Sequence, residues 1–560
     1  MRIFADMKTN GYHARNFLPS IFFSIILVAA GVTWAHRNMT CGLDFMDESY
    51  EILNARDPLN CPLAPLSAWL GHCLLHHDTP NLLAARHLAY GITLLSIFIV
   101  GLCLASSSKN AKDTARVFLS AGIAVLLSGA YPGAWLYGWD IFSNAALSIT
   151  LAWLFILLRR RGFTTIFIAG ALAGAATLCR VPDALVLPAV LAVAAYSLPG
   201  RRIKACITAI GAYIIVVAGF LLWAYGSPGN YINAIAANSM GAHGAGDLIR
   251  NTFSGLVWFV PLLCSTICLF LLVRYSASRF GRRSACFPAL CVSGAALLGL
   301  VFRLTVWKFT VVEQMAECIV IPLLLYPLFS RLQAHRTTKI LALAALWTGL
   351  CAVAGSNTGF IKFLSIGMLP VAVALSRPDR SRPLGIWLIM MVAVYCCVGA
   401  RVRRAESYKD AGAAIAERQI TIPSHPMCGI RTTERFANYA LQGMDLSRNL
   451  RRQGYEVRVL ATGLNRYGWA LITDTPPAFN RHNWAEESAS SSAELSSALQ
   501  DAITTPHVAV IVPAPFAGEL QCSDFAPCDA DIIEALAGAL REEPSGIEGV
   551  RLFCGIPRQQ

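Results

Sequence analysis

The first 400 residues are a succession of apolar runs, more than any soluble core can absorb. They lie at Phe17–Ala35, His87–Ala105, Arg116–Tyr131, Ile141–Leu158, Phe163–Cys179, Ala184–Leu198, Ala205–Tyr225, Phe253–Val273, Ala285–Phe302, Val311–Phe329, Ile340–Ala354, Phe360–Leu375 and Leu384–Ala400. A helix of about 20 residues covers the ~30 Å hydrocarbon core of a bilayer. The runs therefore predict a polytopic α-helical membrane protein with about thirteen transmembrane helices. A mean hydropathy of +0.53 and a charged fraction of 14% agree. Phe17–Ala35 follows Arg2, Lys8 and Arg15, as a secretory signal would. It is too long for a signal core and lacks a small-residue cleavage site, so it reads as a retained first span.

Charge orients the spans. Alternate connections are basic: Lys109/Lys112, Arg159–Arg161, Arg201/Arg202/Lys204, Arg274/Arg279/Arg282/Arg283, Arg331/Arg336/Lys339 and Arg377/Arg380/Arg382. Lys and Arg stay on the cytoplasmic side, which places the N-terminus there and the intervening loops outside. Residues 1–400 hold 30 of the 46 Lys and Arg and 14 of the 33 Asp and Glu, so the whole-chain charge of +13 belongs to the membrane part. No nucleic-acid partner is needed to explain it. Of those fourteen acids only Asp6, Asp113 and Asp379 fall on the inner side. Acidic residues barely influence orientation, so topology does not explain that bias, whereas a function at the outer face would.

From Arg401 the apolar runs shorten to strand length at Val457–Ala461, His507–Val512 and Val550–Cys554, with helix-like stretches at Ala405–Gln419, Thr433–Gln453, Ala493–Ile503 and Asp531–Arg541. The expected division is a membrane domain over 1–400, with an outer first loop at 36–86, and a small α/β domain over 401–560. Serine-rich Glu487–Ser497 reads as a surface loop. Of the eighteen cysteines most lie in apolar runs, where a thiol is a small hydrophobe. Cys41, Cys61, Cys428, Cys522, Cys528 and Cys554 fall outside and leave room for one or two disulfides of undetermined pairing.

The first outer loop holds the densest chemistry. Asp44, Asp47, Glu48, Glu51 and Asp57 crowd into a segment flanked by spans, and Asp47–Asn54 has the pattern of a short helix. Carboxylates at a helix N-terminus suit its dipole on structural grounds alone. The chemical reading is a general base with a second carboxylate orienting an acceptor or a divalent cation. Leu63, Leu66, Trp69, Leu70, Cys73 and Leu74 recur at helical spacing over Pro62–His77, which suits a helix lying in the membrane interface. His72 and His76 have metal-ligand spacing, although interfacial histidines without metal are the better account of them. Gly241–Gly246 (GAHGAG) lacks the preceding strand of a phosphate loop.

Asp47-Glu48, nearby Tyr50, a proline-rich step and the Trp69-Leu70 helix make this loop similar to that of the GT-C class of integral-membrane glycosyltransferases. The protein mannosyltransferases and the lipid A aminoarabinose transferase belong to that class. The resemblance implies a GT-C-like fold and an inverting transferase that takes a sugar from a polyprenyl-phosphate donor. It implies Asp47 as catalytic base with Glu48 beside it, and Asp140, after Tyr131-Pro132-Gly133, as the second acidic residue. Leu63-Ala64-Pro65-Leu66 stands where some members have Lys-Pro-Pro-Leu, and Ser49-Tyr50 where an Arg often follows Asp-Glu, which leaves the donor sugar open.

A leaving phosphate needs positive groups rather than an acid. Arg180, Arg303, Lys308 and Lys362, near the outer ends of later spans, are the candidates to bind it, although cations at such positions also simply snorkel. Asp44, Tyr50, Glu313 and Glu317 are auxiliary candidates; the last two lie one turn apart and suit an ion-pair cluster with Arg303 and Lys308 equally well. A divalent cation is the one cofactor the acidic set admits. The expected location is a bacterial inner membrane with the C-terminal domain periplasmic, and the expected acceptor a lipid, glycan or protein. The C-terminal domain carries no catalytic pattern, leaving it acceptor binding or support. A secondary transporter or lipid flippase, and a non-catalytic subunit of a cell-envelope polysaccharide assembly system, are the competing functions.

Overall fold

The structure, a computed structural model, describes residues 11–43, 47–75, 81–108, 111–239, 259–278, 311–329, 335–353, 366–376, 382–405, 415–461, 466–475, 489–513 and 526–555. Its helices are α1 (Gly11–Met39), α2 (Asp47–Arg56), α3 (Pro65–Leu74), α4 (Leu82–Ser107), α5 (Ala111–Ser128), α6 (Trp139–Arg160), α7 (Phe163–Cys179), α8 (Leu187–Ser197), α9 (Arg202–Tyr225), α10 (Pro228–Ser239), α11 (Phe259–Ser278), α12 (Val311–Phe329), α13 (Arg336–Val353), α14 (Leu369–Ser376) and α15 (Arg382–Ala405). The C-terminal region adds α16 (Glu434–Arg452), α17 (Arg466–Thr473), α18 (Ala489–Thr504) and α19 (Ala526–Ala539). Its strands are β1 (Ile420–Thr421), β2 (Arg431–Thr432), β3 (Glu456–Val459), β4 (Val508–Pro513), β5 (Arg541–Glu543) and β6 (Val550–Cys554).

A helix lies in every expected apolar run except Ala285–Phe302, which is outside the described residues. Among the described residues five helices are long and apolar enough to cross a membrane, and several shorter apolar ones accompany them. The chain is a polytopic membrane protein. It divides into two compact units: residues 1–38, 89–223 and 246–403 form the first, and residues 39–88, 224–245 and 404–560 the second. The first loop thus groups with the C-terminal region rather than with the spans beside it in sequence.

The first unit packs as helices in lipid do, through small residues. A Cβ on Gly31 of α1 would sit 2.2 Å from the Val125 carbonyl oxygen of α5, and one on Gly170 of α7 the same distance from that of Ala209 in α9. Only glycine lets these backbones meet. Large side chains point the other way: Phe22, Phe23 and Ile25 of α1, and Ile207, Ile214 and Ile215 of α9, are exposed, as a lipid-facing surface requires. Pro322 inside α12 has no N–H for the Cys318 carbonyl one turn back. The Ser265 hydroxyl of α11 donates to that oxygen at 2.7 Å and satisfies it where no water can.

In the second unit a four-stranded sheet has the order β3-β4-β6-β5, with β3 and β4 parallel and the other pairs antiparallel. Every residue of β4 is buried, as its unbroken Val-Ala-Val-Ile-Val run predicts for a central strand. The loop expected at Glu487–Ser497 is corrected: α18 covers it from Ala489. Leu495, Ala498, Leu499 and Ile503 recur at helical spacing and pack on the core of Val508, Val510 and Phe553, so burial of that stripe overrides the serines. The helix expected over Ala405–Gln419 is also revised. Residues 415–417 form a single 3-10 turn leading into β1, and residues 406–414 lie outside the described set. Among the described residues no disulfide joins Cys41, Cys61, Cys428 or Cys554, and Cys522 and Cys528 lie outside that set.

Candidate functional site

Asp47 opens α2, the position its residue type favours. One residue on, Glu48 is buried and meets a guanidinium that the sequence does not single out. Arg86, in the second turn of α4, holds both Glu48 oxygens: Nε lies 2.9 Å from Oε1 and Nη2 2.7 Å from Oε2. The same side chain donates through Nη1 to the Met39 carbonyl at 2.6 Å and through Nη2 to the Gly42 carbonyl at 2.9 Å. Arg86 is 0% exposed and Glu48 1%. One planar cation therefore ties the end of α1, the loop entry and the first turn of α2. The signal in the sequence was an arginine one residue before an apolar run, where a charge needs a partner.

Arg86 is itself fixed. Asn81 caps α4, its Oδ1 accepting from the Leu83 and Ala84 amides at 2.8 and 3.2 Å. The Leu82 amide donates to the Pro426 carbonyl at 2.9 Å. At the other end of the loop the Arg431 amide donates to the Thr40 carbonyl at 2.7 Å, and the Gly42 amide to the Arg431 carbonyl at 2.8 Å. The turn joining β1 and β2 and the strand after it thus clasp both ends of the first loop.

Helix α3 follows as expected, but with an inverted pattern. Its buried face is Pro65, Ser67, Ala68 and Gly71, while Leu74 and Cys73 are exposed and Leu66, Trp69 and Leu70 half-buried. Small residues inward and large ones outward suit a helix whose outer side is lipid. His72 Nδ1 donates to the Ala55 carbonyl at 2.8 Å, tying α3 to α2. Tyr231 of α10 donates to the Pro62 carbonyl at 3.1 Å. His76 and Gly241–Gly246 lie outside the described residues.

The far side of α2 packs on α17, which the sequence reading missed. Tyr50 and Tyr467 meet with ring centroids 4.8 Å apart, and Leu53 and Ala470 complete the cluster. Arg466 Nη2 donates to the Tyr467 hydroxyl at 2.6 Å. Arg56 Nη2 lies 3.0 Å from Asp474 Oδ1. Burial pushes the Tyr50 hydroxyl well above its usual 10.0, with the nearby Cys61, Tyr467 and Glu51 charges adding to it. Burial also raises Tyr467, against the lowering pull of Arg466. Both rings are therefore held neutral. Their contribution to stability is complete below about pH 10 and declines as pH rises beyond it, because unfolded phenols there release protons that folded ones retain. Tryptic resistance of the first loop should fall as pH passes about 10, and fall less steeply in Tyr50→Phe. Equal slopes in the two proteins would contradict this.

In the first unit the structure brings two predicted residues into one cluster. Asp140 lies in the first turn of α6, close enough to Asp183 for the carboxylates to repel. Buried Arg180 pairs with buried Asp183, Nη1 to Oδ1 at 3.5 Å, and the Ser143 hydroxyl donates to Asp183 Oδ2 at 2.5 Å. Asp183 was not a candidate. Glu317 is buried within α12, and Glu313 lies one turn earlier on the same helix. Asp44, Arg303, Lys308 and Lys362 lie outside the described residues. Among the described residues no three His, Cys, Asp or Glu side chains converge as a metal site would require.

Two solved structures are similar to the chain: ArnT from Cupriavidus metallidurans in the apo state, at 14% identity and TM-score 0.47, and the same protein bound to undecaprenyl phosphate, at 13% and 0.46. Each match covers 96% of this chain and 99% of that one. No family model and no curated protein matches the chain.

Proposed function

We propose that this protein is an inverting GT-C-type glycosyltransferase that moves a sugar from a polyprenyl-phosphate donor to an acceptor hydroxyl at the outer face of a bacterial inner membrane. The observation that carries the reading is the construction around the Asp47-Glu48 step. A plain connection between spans does not need a fully desolvated Arg–Glu pair, since taking two charges from water costs several kcal/mol per ion. Here that pair sits next to the residue with the best claim to be the base, and its geometry holds the helix start rigid.

In this reading Asp47 accepts the proton of the acceptor hydroxyl as its oxygen attacks the anomeric carbon. The bond to the phosphate oxygen breaks on the opposite face, and polyprenyl phosphate leaves as an anion that needs no acid. Glu48 acts through Arg86 to position the helix. Arg180, Arg303, Lys308 and Lys362 remain the candidates to bind the donor phosphate, with Asp140 assisting. The first loop, the segment after Tyr225 and the C-terminal region, all expected at the outer face, gather in one compact unit.

The test is purified protein in lipid nanodiscs with a radiolabelled polyprenyl-phosphate sugar and a membrane extract as acceptor. The expected result is labelled acceptor of inverted anomeric configuration with stoichiometric release of polyprenyl phosphate. Donor flux across liposomes with no covalent product would overturn it in favour of a flippase.

A further inference from the structure

We propose that helix α17 is a positioning element for the base-bearing helix, so that the C-terminal region acts on the rate of the chemical step rather than by binding the acceptor. The inference rests on Asp47 being the base. Helix α2 has ten residues, too few to hold its own shape or angle in water. Two anchors do so instead. Glu48 is gripped by Arg86 at the first turn, while Tyr50, Leu53 and Arg56, at i, i+3 and i+6, run along a second face. All three meet α17 or the residue after it, through the Tyr50–Tyr467 ring contact, the Leu53 and Ala470 cluster, and the Arg56–Asp474 ion pair.

Helix α17 is a firm support because every one of its residues is buried. Gly443 of α16 lets it approach: a Cβ there would lie 2.8 Å from Ile472 Cδ1 and 2.9 Å from Trp469 Cζ3. Trp469 Nε1 donates to the Tyr439 hydroxyl at 2.9 Å. The C-terminal carbonyls are capped, with Arg451 Nη2 donating to the oxygens of Thr473 and Asp474 at 2.8 and 2.7 Å and Ser447 donating to Thr473 at 2.9 Å. Asp474 itself has φ +53, a left-handed conformation that Asp and Asn tolerate best and that turns the chain out of the helix.

The lever is short but sensitive. A carboxylate about 6 Å from a helix axis moves about 1 Å when the helix rolls by about 10°, given a Cα radius near 2.3 Å. A displacement of about 1 Å at a reacting group can cost about 100-fold in rate. Losing the support of α17 is therefore expected to act on kcat and to leave donor KM nearly unchanged.

The experiment combines kinetics with hydrogen exchange of residues 47–56 on the full-length protein in nanodiscs. Tyr467→Ala is expected to lower kcat about 10- to 100-fold with donor and acceptor KM unchanged within about twofold, and to speed α2 exchange about tenfold. Tyr467→Phe keeps the ring and is expected to restore most of the rate. Arg56→Gln and Asp474→Asn are milder and keep the fold testable if Tyr467→Ala does not accumulate. Each should slow kcat about two- to fivefold, with the double variant no slower than either single one. A rise in acceptor KM at unchanged kcat, or a loss of rate with α2 exchange unaltered, would overturn the proposal. If Asp47→Asn proved fully active while α2 exchange still responded to Tyr467→Ala, the assignment of the base would fail and the mechanical coupling would stand.

Discussion

Asp47→Asn is expected to abolish sugar transfer in a protein that still inserts and folds. Asparagine matches aspartate in shape but cannot take the acceptor proton, and removal of a positioned base typically lowers rate about 100- to 10,000-fold. The change costs little structurally. The position is the first of α2, where the lost charge-dipole term is worth about 0.3–1 kcal/mol. The measurement is single-turnover transfer from a polyprenyl-phosphate sugar, run beside a thermal melt of both proteins. Near-normal turnover with an unchanged melt would remove Asp47 from the mechanism. A lost melt would instead mark Asp47 as a structural cap.

The second large effect is on stability. Arg86→Met leaves Glu48 buried without its cation, and breaking such a pair costs about 3–5 kcal/mol. The Met39 and Gly42 carbonyls lose their donors in the same change, adding about 1–3 kcal/mol for each left unsatisfied. In a unit of about 230 residues each kcal/mol lowers the midpoint by roughly 2–4 °C, so a drop of about 10 °C or more is expected. Arg86→Lys should not rescue it, because an ammonium cannot present the planar fork that reaches Glu48 and two carbonyls together. Glu48→Gln/Arg86→Met, which removes both charges, should recover a large part of the loss. A melt of Arg86→Met within about 2 °C of the parent would show that the pair bears little of the loop's stability.

The two effects separate what Asp47 and Glu48 do although they are neighbours in sequence. Both carboxylates were candidates for chemistry, and nothing in the Asp-Glu pair itself distinguishes them. Burial does. Glu48 is enclosed and shared by a guanidinium, which makes it a holder. Beyond its place before an apolar run, nothing in the local sequence marks Arg86 apart from the other arginines of the chain, whereas Arg180, Arg303, Lys308 and Lys362 stand near the ends of later spans. Of those, Arg180 sits beside Asp183, to which it is paired three residues along the chain. Helix α17 is not legible in the sequence because Arg-Tyr-Gly-Trp-Ala-Leu-Ile-Thr is only eight residues long and contains a glycine. It is helical because neighbours enclose it on all sides.

Local physics determined the apolar runs, the basic connections between them, the short helix at Asp47 and the three longer strands of the C-terminal region. Each depends on a stretch of chain read against one solvent or one periodicity, and a stretch contains that information whole. Tertiary structure alone decided that Glu48 belongs to Arg86, 38 residues away, and that Tyr50 rests on Tyr467. It also decided that residues 40–42 and Leu82 are clasped by the segment around Pro426 and Arg431. A charge chooses its partner by proximity after folding, and a surface is buried only by what the distant chain lays upon it.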